Sequence, residues 1–103
     1  MFMDTNQLIK DAKARFSHNS AKQYLKDKYL SKLTIASQGG LWKITPELIV
    51  FLDNAGSQDL LLLDEYENPV KVNRSELFYT LRDTYNDVMT EWYNELEQLS
   101  QNR

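Results

Sequence analysis

Residues 73–99 read NRSELFYTLRDTYNDVMTEWYNELEQL, and within them Leu77, Leu81, Tyr85, Val88, Trp92, Leu96 and Leu99 recur at intervals of 4, 4, 3, 4, 4 and 3. The mean step, about 3.67 residues, is close to the 3.6 of an α-helix. Asn73 is a good N-cap and Glu76, three residues on, fits a capping box. A helix of about 26 residues is a rod of roughly 40 Å, whereas a compact domain of this size has a radius of gyration of about 13 Å. The helix therefore spans the whole domain or projects beyond it.

Phe78, Met89 and Tyr93 widen the apolar arc from about 100° to about 160° at 100° per residue. Up to Val88 this surplus suits burial within the monomer. Beyond it, Met89, Trp92, Tyr93, Leu96 and Leu99 are the expected partner-binding residues, since aromatic residues and Met are enriched at interfaces.

Upstream of this helix, Leu60–Leu63 and Val70–Val72 bracket an acidic loop, Asp64 to Pro69, and read as a β-hairpin. The four-leucine run resists simple alternation and also suits a strand buried on both faces, or helix. Before it, Thr45-Pro46-Glu47 opens a short helix with Leu48, Ile49, Phe51 and Leu52, Thr as cap and Pro at the first position. Earlier still, Leu33–Ser37 and Leu41–Thr45 flank Gln38-Gly39-Gly40 as a first hairpin. The two hairpins are expected on one antiparallel sheet. Ile35, Trp42, Ile44, Leu48, Leu52, Leu61, Leu63, Leu77 and Leu81 are its expected core.

At the N-terminus, Asp4 with Gln7 and Ser20 with Gln23 each read as a helix start, separated by Ser17-His18-Asn19. The first helix turns Leu8, Ile9, Ala12 and Phe16 inward, and the second Ala21, Tyr24, Leu25, Tyr29 and Leu33. The expected class is therefore α+β: two N-terminal helices, two hairpins, a short helix between them and a long C-terminal helix. One domain covers 1–103, divided into a helical pair (1–32), hairpin plus short helix (33–56) and hairpin plus long helix (57–103). Residues 43–52 and 71–81 share a Lys, Glu, Leu, Leu order at the strand-to-helix junction. Capping and helical periodicity alone account for that likeness better than duplication does.

Composition excludes several classes of chemistry. There is no cysteine, so neither disulfides nor thiolate sites are available. No apolar run approaches the roughly 20 residues of a membrane span, and Met1–Asn6 lacks a basic region followed by an apolar stretch. A cytoplasmic protein is expected, without a membrane partner. Net charge is −3, split unevenly: residues 1–58 carry eight bases against five acids, residues 59–103 four against ten. The simplest reading is intramolecular, with basic N-terminal helices beside an acidic C-terminal one.

No phosphate-binding loop, dinucleotide fingerprint, nucleophile elbow or His-Glu-x-x-His occurs. His18, the sole histidine, cannot form a histidine metal cluster or a two-histidine relay, and it reads as part of a polar turn. No catalytic, cofactor-binding or metal-ligating residue is expected, and no enzyme. Asp83, Asp87, Glu91 and Glu95 fall every fourth residue on the long helix. They form either a solvated face or an acidic surface that mimics nucleic acid and inhibits a host DNA-handling or transcription protein. The bases Lys10 to Lys32 are interleaved with Phe16, Tyr24 and Tyr29, but those aromatics sit on apolar stripes and the isoelectric point is about 5.1. Nucleic acid is thereby disfavoured as a partner.

The stretches Gly39-Gly-Leu-Trp-Lys-Ile-Thr-Pro-Glu-Leu48 and Asp64-Glu-Tyr-Glu-Asn-Pro-Val-Lys-Val-Asn-Arg74 resemble small accessory proteins of T4-like tailed bacteriophages, over residues 39–96. The resemblance implies a phage protein that works by contact in the host cytoplasm, as assembly factor, virion component or modulator of a host protein. The expectation is a non-enzymatic interaction module whose partner is itself, as a homo-oligomer, or a host protein.

Overall fold

The computed structural model describes residues 5–101, with side-chain surroundings from Ser17 onward. It is an α+β protein ordered α1 (Thr5–Lys32), β1 (Thr34–Ser37), β2 (Gly40–Lys43), α2 (Pro46–Asn54), β3 (Asp59–Leu63), β4 (Pro69–Asn73) and α3 (Arg74–Gln101). The expected long C-terminal helix is present at 28 residues. The expected N-terminal pair is not: α1 is one helix of 28 residues that runs straight through Ser17, His18 and Asn19. Those residues cost a helix only fractions of a kcal/mol each, far less than Gly or Pro. A residue that can cap a helix does not compel one to stop. Asp4 and the inward positions from Leu8 to Phe16 lie outside the described side chains.

The hairpins form two separate two-stranded sheets, not one. In the first, Ile35 pairs with Trp42 and Ser37 with Gly40. Its two-residue turn, Gln38-Gly39, has φ of +51° and +82°, the double left-handed geometry that suits strand twist. Gln38 is held there by its own amide, which accepts from Asn73 N at 2.7 Å and donates to Asn73 O at 3.3 Å. Asp64 ties the hairpins together. One carboxylate oxygen accepts from Leu41 N at 3.1 Å, the other from Tyr66 N and Asn68 N at 3.0 and 3.1 Å, while Glu65 N donates to Leu41 O. Asp64 and Glu65 thus link the two hairpins through Leu41 rather than through a strand ladder.

In the second hairpin Leu60 pairs with Val72 and Leu62 with Val70. Directly opposed residues share a face, and Val72 is buried, so Leu60 and Leu62 point inward. Leu61 and Leu63 are 74% and 67% exposed, which reverses the expected parity. The remaining expected core is present: Trp42, Ile44, Leu52, Leu77 and Leu81 are buried, and Ile35 and Leu48 pack against them. Leu25, Tyr29, Leu33, Val72 and Val88 complete the cluster. Tyr24, expected inward, is exposed.

Helix starts follow the sequence closely. Thr45 Oγ1 accepts from Leu48 N at 3.1 Å, and Asn73 Oδ1 from Glu76 N at 3.0 Å. The reciprocal half of the capping box is replaced, because Asn73 N already donates to Gln38. The molecule measures 68 × 24 × 20 Å, with a radius of gyration of 20.2 Å, well above the roughly 13 Å of a compact chain of this length.

Candidate interaction groove between α1 and α3

Helices α1 and α3 lie antiparallel. Lys28 Nζ is 2.9 Å from Glu95 Oε1 and Lys32 Nζ is 3.3 Å from Glu91 Oε2, so four residues up one helix match four down the other. Tyr29, 1% exposed, is the hub of the seam. Its ring stacks on Trp92 with centroids 6.0 Å apart and planes 9° apart. Its hydroxyl donates a short hydrogen bond to Glu95, and the Lys28 and Lys32 ammonium groups lie 5.1 and 5.0 Å from its centroid.

This arrangement shifts three groups with one physical logic. Glu95 is held below the usual carboxylate range, first by the Lys28 bond and then by Tyr29. Lys28 and Tyr29 are raised, each chiefly by its hydrogen bond to Glu95. Asp64, at the hairpin junction, is lowered by the amides of Leu41, Asn68 and Tyr66.

On the other flank of the seam lies a groove of about 540 Å³. Met89, Trp92, Tyr93 and Leu96 of α3 form one bank; Asn19, Lys22, Gln23 and Lys26 of α1 form the other. Tyr93 is 62% exposed, and Lys22 and Lys26 form no ion pair among the described residues. The groove thus has an apolar bank facing a basic one.

Four of the five expected partner-binding residues, Met89, Trp92, Tyr93 and Leu96, meet at this groove. Leu99, like Trp92 and Leu96, is partly buried against the core cluster. The α1 bank is absent from the sequence reading, although Lys22 and Lys26 flank the Leu25–Tyr29 stripe at helical spacing and could have marked it. The acidic row divides. Glu91 and Glu95 are matched by α1 lysines, Asp83 sits 3.1 Å from Arg82 Nη2, and Asp87 is exposed. Arg82 also lies over Phe78 and Tyr79, 5.5 and 4.9 Å from their centroids, which covers part of the wide apolar arc in the first half of α3. His18 lies within α1 rather than in a turn.

Among the described residues no three His, Cys, Asp or Glu side chains converge to hold a metal ion, and no helix is long and apolar enough to cross a membrane. No family model matches the chain, and no curated protein or solved structure matches it.

Proposed function

We propose that this chain is a non-enzymatic protein-interaction module that binds through the groove side of α3. We read it as a phage accessory protein acting in assembly or on a host protein in the host cytoplasm. One observation carries the reading: Met89, Trp92, Tyr93 and Leu96 form an accessible apolar bank beside Lys22 and Lys26, which form no ion pair among the described residues. Aromatic anchors with a polar rim are the composition of binding surfaces. The sequence likeness over residues 39–96 supports the phage setting.

The test is capture from host lysate with immobilised wild-type protein and with Tyr93→Glu. That side chain is mostly solvent-exposed, so the variant folds, as far-UV circular dichroism can verify. Proteins, this chain included, that wild type retains and the variant loses support the reading. Equal retention by the two baits overturns it.

A further inference from the structure

The two flanks of the α1–α3 seam carry the same lysine spacing and opposite answers to it. With Tyr29 as zero and 100° per residue, Lys28 and Lys32 lie at about −100° and −60° on α1, and Lys22 and Lys26 at about +20° and +60°. With Trp92 as zero on α3, Glu91 and Glu95 lie at about −100° and −60°, while Leu96, Met89 and Tyr93 lie at about +40°, +60° and +100°. In an antiparallel pair, flanks of like sign face each other. On the negative flank two lysines one turn apart meet two glutamates one turn apart, at 2.9 and 3.3 Å. On the positive flank Lys22 and Lys26, again one turn apart, are met by Met89, Tyr93 and Leu96. The acids nearest to them are directed elsewhere. Glu97, at about +140° on α3, does not line the groove, and Asp27 on α1 accepts from Gln23 Nε2 at 2.9 Å.

We infer, resting on the interaction reading above, that the groove receives an acidic amphipathic helix of another protein. Its apolar strip lies on Met89, Trp92, Tyr93 and Leu96, and two of its carboxylates, one turn apart, meet Lys22 and Lys26. Charge complementarity selects this occupant, and Glu91 and Glu95 of α3 show the spacing that answers such a lysine pair on this same helix. The dimensions agree. Extending the register of those ion pairs along the seam sets Lys26 level with Glu97 and Lys22 level with Gln101. From Met89 to that level is about 12 residues of α3, or roughly 18 Å. Apolar bank and basic pair are thus spread over about three helical turns, a length that suits a helix laid in a groove better than a compact small molecule.

The probe is a synthetic helical peptide of about 18 residues, long enough to hold helix in water. It carries a leucine strip with glutamates one turn apart along both flanks, so that one pair meets the lysines whichever way the helix runs. A second peptide has lysine for every glutamate, and neither contains tryptophan or tyrosine. Calorimetric titration is run on wild type, on Lys22→Glu/Lys26→Glu and on Tyr93→Glu. The altered side chains are exposed, and far-UV circular dichroism verifies that the helices persist. The acidic peptide is expected to bind wild type, to weaken as salt is added, and to lose about tenfold or more in affinity on the lysine reversal. The basic peptide should show the opposite preference, and Tyr93→Glu should weaken the acidic one. No binding of the acidic peptide to wild type overturns the inference, as does equal binding of the two peptides or indifference to the lysine reversal. So does a wild type that doubles in mass on its own and stays single in Tyr93→Glu, since a second copy then holds the groove. Lysate proteins retained through Tyr93 whatever the charge at 22 and 26 remove the acidic helix and leave the interaction module standing; a bait that retains none removes both.

Discussion

Gly40 shows how one missing methyl group shapes a hairpin. A Cβ placed there would sit 2.7 Å from Trp42 Cζ2 and 3.3 Å from the Asp64 Cβ. The Trp42 ring is buried and its Nε1 donates to Ser37 O at 2.8 Å, so it has little room to yield. Gly40→Ala should cost about 1–3 kcal/mol in urea unfolding, whereas Gly56→Ala, with open space around it, serves as a near-neutral control. Asp64 supplies a pH prediction. Its folded pKa is depressed, as is that of Glu95. Their stabilisation is therefore complete above the usual carboxylate range near about 4 and is lost as pH falls through the depressed values. Acid unfolding of Asp64→Asn should start from lower stability at neutral pH and show a shallower acid slope than wild type. Lys28 and Tyr29, both raised, lose their contribution in the opposite direction, as pH climbs past about 10. The alternation of Trp42 and Ile44 was readable in the chain. The Asp64 bridge was not, because a carboxylate in an acidic loop looks the same whether it faces solvent or gathers two amides of its own loop and that of Leu41 from the other hairpin.

The helices and strands differ in how openly they declare themselves. Capping by Thr45 and Asn73 and the seam of α3 follow from local rules, and both were legible. The single α1 was not, since Ser20 and Gln23 offer a cap that the continuous helix leaves unused. Asn19→Pro discriminates directly: within a continuous helix it should cost about 3 kcal/mol or more and lower the helical circular dichroism signal, whereas a natural break would absorb it. The leucine run Leu60–Leu63 hid its parity because all four side chains are alike. Only the partner strand, with Lys71 outside and Val72 inside, settles the face. Leu61→Thr should accordingly change unfolding free energy by no more than about 0.5 kcal/mol. Leu52→Ala, at a site with no solvent exposure, should cost about 2–5 kcal/mol.

The whole molecule is a rod because α1 and α3 pair side by side, while the hairpins and α2 gather around the end where α1 finishes and α3 begins. The charge imbalance between the two halves of the chain is partly neutralised along that seam, through Lys28–Glu95 and Lys32–Glu91. Lys22 and Lys26, on the other flank, form no ion pair among the described residues, and the partner-binding residues read from α3 alone gather at the groove only because α1 supplies the opposite bank. The spacing of Lys22 and Lys26 beside the α1 stripe hints at that bank, but its place opposite α3 depends on the register between two helices. Binding at the groove would be reported by the chain's own tryptophans. Trp42 is buried at 2% exposure and should keep a constant emission, whereas Trp92 lines the groove. Tryptophan emission should shift to the blue when a partner retained by the wild-type bait is added, with no shift in Tyr93→Glu. A partner that binds wild type while the emission stays fixed would place the contact away from the groove.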